Sequence, residues 1–153
     1  MTLPDTLLIN GTDLQMLCTV TDFSNLRAPG TRRGSNLTYP NARGDAYLPK
    51  VYAAYQFDIP IALTGDDATS SLLDRRIAFN AAFDALTAVL DVGLVTLTRR
   101  LATTGGGYVE HTADGEYLSG LAVKMANPIA GTTILEFGNL TGCWLDGSGG
   151  EHL

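Results

Sequence analysis

The sequence predicts an α+β fold, in which β-sandwich- or barrel-like sheets carry one packed α-helix and a long extended loop. Three observations predict this fold. Segments in which apolar and polar side chains alternate, the pattern of strands, stand in both halves of the chain. A single segment with helical periodicity separates them. A stretch dense in Gly and Pro interrupts the first half, which is typical of an extended excursion from a core.

The length of 153 residues is that of one domain, and we expect a single domain over residues 1–146. The Gly-rich end, residues 147–153, is predicted to be a flexible tail. No apolar run reaches about 18 residues, and the N-terminus lacks the features of a signal peptide. We therefore expect a protein made in the cytoplasm, without membrane insertion. Cys18 and Cys143 are predicted to be reduced, buried thiols, and one long-range disulfide is the alternative.

The first elements are strands. The segment DTLLING is an apolar strand that runs into the turn dipeptide Asn10-Gly11. A second strand is predicted over Leu14–Phe23. The stretch Val51–Gly65 alternates clearly, with Phe57, Ile59 and Ile61 among the residues on one face. Pro60 within it lacks an N–H donor, so this strand is expected at a sheet edge or with a bulge at that point.

The clearest helix follows Gly65, in the segment DDATSSLLDRRIAFNAAFDALTAVLD. Ser71 with Asp74 three residues later resembles a capping box, which marks a helix start. Gly93 is a natural stop, so the helix has about 20 residues. One apolar stripe at helical spacing needs a sheet to cover it, and its members are Leu72, Phe79, Phe83, Leu86 and Leu90.

The last third returns to strands. In GLVTLTRRLA, alternation puts one set of side chains on a common face, namely Val95, Leu97, Arg99 and Leu101. A hairpin region follows, with turns predicted at Gly105–Gly107 and at Asp114-Gly115. Two further strands lie in LAVKMANP and TTILEFGNLTGCWL, divided by Asn127-Pro128 and Gly131. Together these patterns predict about seven to nine strands.

The densest polar cluster is the segment EHTADGE around His111. We interpret it as a solvated hairpin tip, because it lacks metal ligands at fixed spacing. His152 falls in the predicted tail. The sequence contains no serine elbow, phosphate-binding loop or zinc pattern, so we expect no cofactor, no metal and no enzymatic activity. A small hydrolase that uses His111 and its acidic neighbours is retained as an alternative.

Trp144 beside Asp146 is the one hint of a sugar-binding platform. We interpret Trp144 as packing in the core or in an interface, since most aromatic residues of the chain stand at core spacing. A carbohydrate-binding module remains the alternative that this residue would support.

Basic charge is concentrated in the Gly- and Pro-rich stretch Leu26–Pro49, which holds four of the eight arginines. Residues 1–57 carry a net charge of +1 and residues 58–153 a net charge of −7. Specific nucleic-acid binding is disfavoured by this balance. Because arginine binds carboxylates through paired hydrogen bonds, we predict that the stretch is a docking arm. It would reach the acidic half of a second copy in a ring, through Arg27, Arg32, Arg33 and Arg43.

Two short motifs resemble the N-terminal, ring-forming domain of phage distal tail proteins. The first is INGTDL at Ile9–Leu14, and the second is RRGSNLTYPNARGDAY at Arg32–Tyr47. Distal tail proteins carry an early ING.DL element and then an arginine–glycine–asparagine loop that leads to a proline and a later glycine. The matching positions are Arg33, Gly34, Asn36, Pro40 and Gly44. Tail-tube subunits share the same fold plan.

The resemblance implies a structural virion protein that forms a ring, expected to be a hexamer, at the baseplate or tail tip. Such a ring joins the tail tube to the hub and host-adhesion proteins, and DNA passes through its lumen during genome ejection without specific binding. Assembly would take place in the bacterial host cytoplasm. The resemblance adds Asn36 to the expected interface. Many distal tail proteins continue into a carbohydrate-binding-like domain, so with an end at Leu153 we expect no receptor binding by this subunit. A stacked tail-tube subunit is the alternative.

Overall fold

A computed structural model of the protein describes residues 3–27, 31–33, 36–38, 43–46, 51–65, 71–146 and 151–152. These residues form an α+β fold of mostly antiparallel sheet with a single α-helix, and the main sheet curls into a half-barrel. The fold class predicted from the sequence is therefore confirmed. Within the described ranges, no helix combines the length and the apolar character needed to cross a membrane.

The described strands and helices have the following bounds. In chain order they are β1 Thr6–Ile9, β2 Thr12–Asp13, a 3-10 turn Leu14–Met16, β3 Thr19–Val20, a second 3-10 turn Ser24–Arg27, β4 Thr31–Arg33, β5 Leu37–Thr38, β6 Asp45–Ala46, β7 Val51–Ala53, β8 Tyr55–Thr64, α1 Leu72–Leu90, β9 Val95–Ala102, β10 Tyr108–Tyr117, β11 Lys124–Asn127, β12 Ala130–Asn139, β13 Trp144–Leu145 and β14 Glu151–His152.

The main sheet is antiparallel and has the strand order β2-β1-β9-β10-β12-β8-β3. Strand β11 pairs with β12, and β13 pairs with both β10 and β14. The longest ladder joins β8 to β12 and runs from Tyr55↔Asn139 to Thr64↔Ala130. Residues Glu151–His152 of the predicted tail pair with Trp144–Leu145, while the rest of that tail lies outside the described residues.

The hydrophobic core lies between the inner face of this sheet and helix α1. Alternation puts Phe57, Ile59, Ile61 and Leu63 of β8 into the core, as the sequence predicts. Strands β9 and β12 contribute further buried side chains to the same face, among them Val95, Leu97, Leu135 and Phe137. The fold thus covers one face of the sheet and leaves the other face outward.

Helix α1 begins and ends where its sequence indicates. The Ser71 Oγ accepts a hydrogen bond from the Asp74 N–H at 3.2 Å and caps the first turn. Gly93, with φ of +88°, follows the last turn. The predicted apolar stripe is correct from Phe79 onward, but Leu72 at the start of the helix is 60% exposed.

Two predicted elements are wrong. Of the strand expected over Leu14–Phe23, only Thr19–Val20 forms, because the Asp13 carboxylate accepts the Gln15 N–H at 2.9 Å and starts a 3-10 turn. Asp114-Gly115 is not a turn, since β10 runs straight through it. The glycine is needed there for close packing: a Cβ on Gly115 would collide with the Leu97 side chain and lie 2.7 Å from the Gly138 carbonyl oxygen.

Three smaller predictions also have outcomes. The turn at Gly105–Gly107 is confirmed, with the Thr103 N–H donating to the Gly107 carbonyl at 2.9 Å. Strand β8 passes through Pro60 without a break, and Pro60 lies where its short neighbour β3 ends. Cys18 and Cys143 are not in a disulfide; the first is half-buried and the second buried. Burial raises the pKa of the Cys18 thiol to about 12.

The contact between α1 and the end of β8 generates a prediction. A Cβ on Gly65 would collide with the Arg75 carbonyl oxygen and lie 2.8 Å from the Phe79 nitrogen, both of which are helix backbone. We expect Gly65→Ala to lower the free energy of unfolding by about 1–3 kcal/mol through overpacking, as measured by urea denaturation. Gly120→Ala is the control, because a Cβ there meets no atom within 4 Å. Equal stability of the two variants would contradict this packing.

Candidate subunit interface

The stretch predicted as a docking arm contains, in its described parts, a two-part β-hairpin. We call residues 31–53 the arm. Strand β4 pairs with β7 in the register Arg32↔Tyr52, and β5 pairs with β6 in the register Thr38↔Asp45. Each pair is a small two-stranded sheet, separate from the main sheet. The described parts of the Gly- and Pro-rich excursion therefore have their own backbone pairing.

The sequence-predicted interface residues are distributed along this arm. Arg32 is exposed on β4, and its Nη2 donates to the Tyr52 hydroxyl at 3.1 Å. The same guanidinium carbon lies 5.3 Å from the centre of the Tyr52 ring, so the charge stacks on an aromatic face. Arg33 occupies the next position of β4, opposite Val51. The structure thus places both arginines on one limb of the hairpin.

The other predicted interface residues lie at different levels. Asn36 is exposed directly before β5, and Arg43 is exposed two residues before β6. Arg27 is exposed at the end of the second 3-10 turn, ahead of the arm itself. Gly34 and Pro40, which also belong to the resemblance, lie outside the described residues.

Charge divides the molecule into an arm and a body. The arm carries four basic side chains and one acidic one, for a net charge of +3. The rest of the chain carries six basic and fifteen acidic side chains, for a net charge of −9. Opposite net charges on two separate parts of one chain favour contact between copies of that chain.

The chain segment that precedes the arm is held by a buried arginine. Arg99 on β9 is only 2% exposed, and its Nη1 donates to the carbonyl oxygen of Leu26 at 3.0 Å. Its Nε donates to Nδ1 of His111 at 3.0 Å, and its guanidinium carbon lies 5.1 Å from the centre of a Trp144 ring. Burial lowers the pKa of Arg99; the positive charge of Arg27 lowers it further, and Tyr55 opposes the shift. Leu26 is itself buried, so these bonds fix the chain just before it leaves the body.

The chain segment that follows the arm is held by side chains near Arg99. The Tyr55 hydroxyl accepts hydrogen bonds from Trp144 Nε1 at 2.9 Å and from Asn139 Nδ2 at 3.4 Å. The Asn139 side-chain oxygen in turn accepts the Gly142 N–H at 3.0 Å. A Cβ on Gly142 would lie 2.8 Å from the Ala53 carbonyl oxygen, so this turn packs directly on the end of β7. We call Arg99, His111, Trp144, Tyr55 and Asn139 the root network, since it holds Leu26, which precedes the arm, and includes Tyr55, which follows it.

Sequence reasoning missed most of the root network. His111 was expected in a solvated hairpin tip, and this is wrong: it is 6% exposed within β10 and uses Nδ1 to accept from Arg99. The signal that could have found it was the alternation of β9, which put Arg99 on the same face as Val95, Leu97 and Leu101. An arginine on a core face needs buried acceptors. The expectation that Trp144 packs in the core is confirmed, since it is fully buried.

A scan against protein-family models finds no match to this chain, and a search of curated proteins finds none either. In the described part of the chain, no group of three or more His, Cys, Asp or Glu side chains is placed to hold a metal ion. The function is therefore best inferred from the arm, the body and the root network.

The root network leads to a paired prediction on two tyrosines. Tyr55→Phe removes the acceptor of Trp144 Nε1 and one of the two acceptors of Asn139 Nδ2, and we expect the free energy of unfolding to fall by about 1–3 kcal/mol. Tyr117→Phe is the matched control, because the buried Tyr117 hydroxyl has no hydrogen-bond partner among the described residues. We expect that variant to stay within about 0.5 kcal/mol of wild type. Urea denaturation measures both.

Tyr55→Phe should also weaken the attachment of the arm to the body. Trypsin should then cleave after Arg32, Arg33 or Arg43 faster than it does in wild type or in Tyr117→Phe. Unchanged cleavage in Tyr55→Phe would show that the network stabilises the core without positioning the arm.

Proposed function

We propose that this protein is a structural, ring-forming subunit of a phage tail, in which the arm of each copy binds a neighbouring copy. The observation that carries this proposal is the arm itself. It is a hairpin of net charge +3, and it forms small sheets apart from a body of net charge −9. A contact between unlike surfaces of identical chains is head-to-tail, and such contacts close into rings when the rotation between neighbours allows.

The assignment to a phage tail is supported by the resemblance to distal tail proteins. Three of its positions, Arg33, Asn36 and Gly44, lie in the described parts of the arm. In this proposal the ring is a hexamer at the tail tip, joins the tail tube to the hub and adhesion proteins, and belongs to the virion. The acidic body suits a lumen through which DNA slides, because like charges repel.

Two rival functions lose support from the positions of their key residues. A sugar-binding platform built on Trp144 needs an open ring face, but this ring is fully buried beside Arg99. A hydrolase built on His111 needs an accessible imidazole, but His111 is buried and its Nδ1 accepts from Arg99. A stacked tail-tube subunit shares the arm and the charge division, and so stays the alternative.

Imaging of the assembled protein tests the proposal. Cryo-electron microscopy of purified protein and of the phage particle should reveal closed rings, with one or two rings per tail. Many stacked rings per tail would favour the tube alternative. A protein that stays monomeric at high concentration and forms no ring in the particle would overturn the proposal.

Reversing the charge of the arm should separate assembly from folding. Exposed substitutions change stability by about 0.5 kcal/mol or less, whereas removal of one side of an interface ion pair costs about 2–5 kcal/mol. We therefore expect Arg32→Glu with Arg33→Glu to weaken ring assembly at least about tenfold, measured by mass photometry across a concentration series. Its urea denaturation midpoint should stay close to wild type.

The matched control reverses two arginines of the body, Arg76→Glu with Arg100→Glu, and so makes the same change in net charge. The control should assemble more tightly than the arm variant. Equal loss of assembly in both would mean that total charge, rather than the arm, governs association. Equal loss of folding and assembly in the arm variant would also contradict a docking role.

A further inference from the structure

We propose that the arm of a second copy docks in an apolar groove on the outward face of the main sheet, at the centre of the β8/β12 ladder. This inference rests on the proposed function and names the surface that receives the arm. The groove has a volume of about 420 Å³, and its lining residues are Thr21, Pro60, Ile61, Ala122, Lys124, Thr132, Thr133 and Ile134.

The floor of the groove is an apolar pair, of which Pro60 is half-buried and Ile134 is exposed. Pro60 and Ile134 are direct register partners on neighbouring strands. Ile134 is 57% exposed, although its neighbour Leu135 is fully buried on the inner face. A β-branched apolar side chain on the open face of a sheet is stabilised when another surface covers it.

Charge is ordered along the groove in successive steps of the ladder. On one side of the Pro60–Ile134 pair stands the step that joins Ala62 to Thr132, and Thr132 pairs in turn with Lys124. On the other side stands the step that joins Asp58 to Glu136, and both carboxylates are exposed. The groove therefore carries Lys124 at one end and is apolar in the middle, and the carboxylates of Asp58 and Glu136 stand on the ladder just beyond its other end.

The acidic step is unfavourable in an isolated chain. Like charges placed directly opposite each other on neighbouring antiparallel strands repel and weaken the pairing. Each of these exposed carboxylates can also accept the paired hydrogen bonds of an arginine fork. An arginine from outside the chain would remove the repulsion and gain these bonds, so this end of the groove favours a cationic partner.

The arm of another copy has the matching chemistry. It carries a net charge of +3 in the same chain whose body carries −9. On it, the Arg32 guanidinium stacks on the Tyr52 ring, which presents a cation and an aromatic surface side by side. We orient the arm so that its arginines meet Asp58 and Glu136, because Lys124 at the opposite end of the groove repels them. The described strands of the arm pair only with one another.

A charge exchange tests the inference. We expect the groove variant Asp58→Arg with Glu136→Arg to weaken ring assembly at least about tenfold, as the arm variant Arg32→Glu with Arg33→Glu does. When both sets of changes are combined in one chain, the exchanged charges should restore assembly to within about threefold of wild type. The control Asp84→Arg with Asp91→Arg changes net charge equally at exposed sites on and just after α1, and should assemble like wild type.

Mixing identifies the copy that supplies the arm. Arm variant and groove variant, each weak alone, should associate with each other when combined in equal amounts, because reversed arms then meet reversed grooves on separate chains. Failure of this mixture, with full assembly of the combined chain, would show that the arm folds back on its own body and would overturn the inference.

The apolar floor has its own test. Ile134→Ser keeps the charges and alters an exposed position, so the chain should fold normally and assemble several-fold more weakly. If groove variants form rings as stable as wild type, the arm docks elsewhere and this inference is wrong, while the proposed ring stands. If the wild-type chain forms no ring at any concentration or in the particle, both proposals fall together.

Discussion

The architecture of this protein depends on one buried cation. A guanidinium with almost no exposed surface loses the water that would stabilise its charge, so it must find acceptors within the protein. Arg99 finds them on two separate parts of the chain, in the His111 ring and in the backbone carbonyl of Leu26, and lies against the Trp144 ring. Each partner is fixed by its own strand or turn. Because Arg99 needs these acceptors, it links the sheet to Leu26, which lies just ahead of the arm.

This constraint explains how a long hairpin with its own small sheets keeps a defined direction. A two-stranded ribbon gains little stability from its own pairing. Here the chain on both sides of the hairpin is fixed by buried hydrogen bonds. Leu26 precedes the hairpin and accepts from Arg99, and Tyr55 follows it and accepts from Trp144. The Gly142 turn also packs on the end of β7. Because the root network fixes the chain beside the arm, the arm would lose less conformational entropy in binding a neighbouring copy, as proposed above. The acidic body and basic arm can then be complementary between chains.

Much of the fold could be predicted from the sequence, because it follows from local periodicity. The alternation of β8 and β9 and the cap and stop of α1 are encoded within a few residues of each element. The failures depend on distant contacts. Asp114-Gly115 has the composition of a turn, yet its glycine serves the close approach of Leu97 and Gly138. Arg27, Arg32, Arg33 and Arg43 were singled out by composition alone, whereas the role of Arg99 emerges only when β9, β10 and the Leu26 carbonyl come together.

The wide spacing of the root network along the chain has a consequence for biosynthesis. Its bonds join Leu26 to Arg99 and Tyr55 to Trp144, so the full set closes only after the chain has been made as far as Trp144 and the central strands have met. Contacts between such remote positions form late, because the intervening chain must be ordered first. In a nascent or partly folded molecule, the root network is consequently not yet formed and does not fix the arm. In the proposed ring, self-association would then be limited to chains that have completed their core.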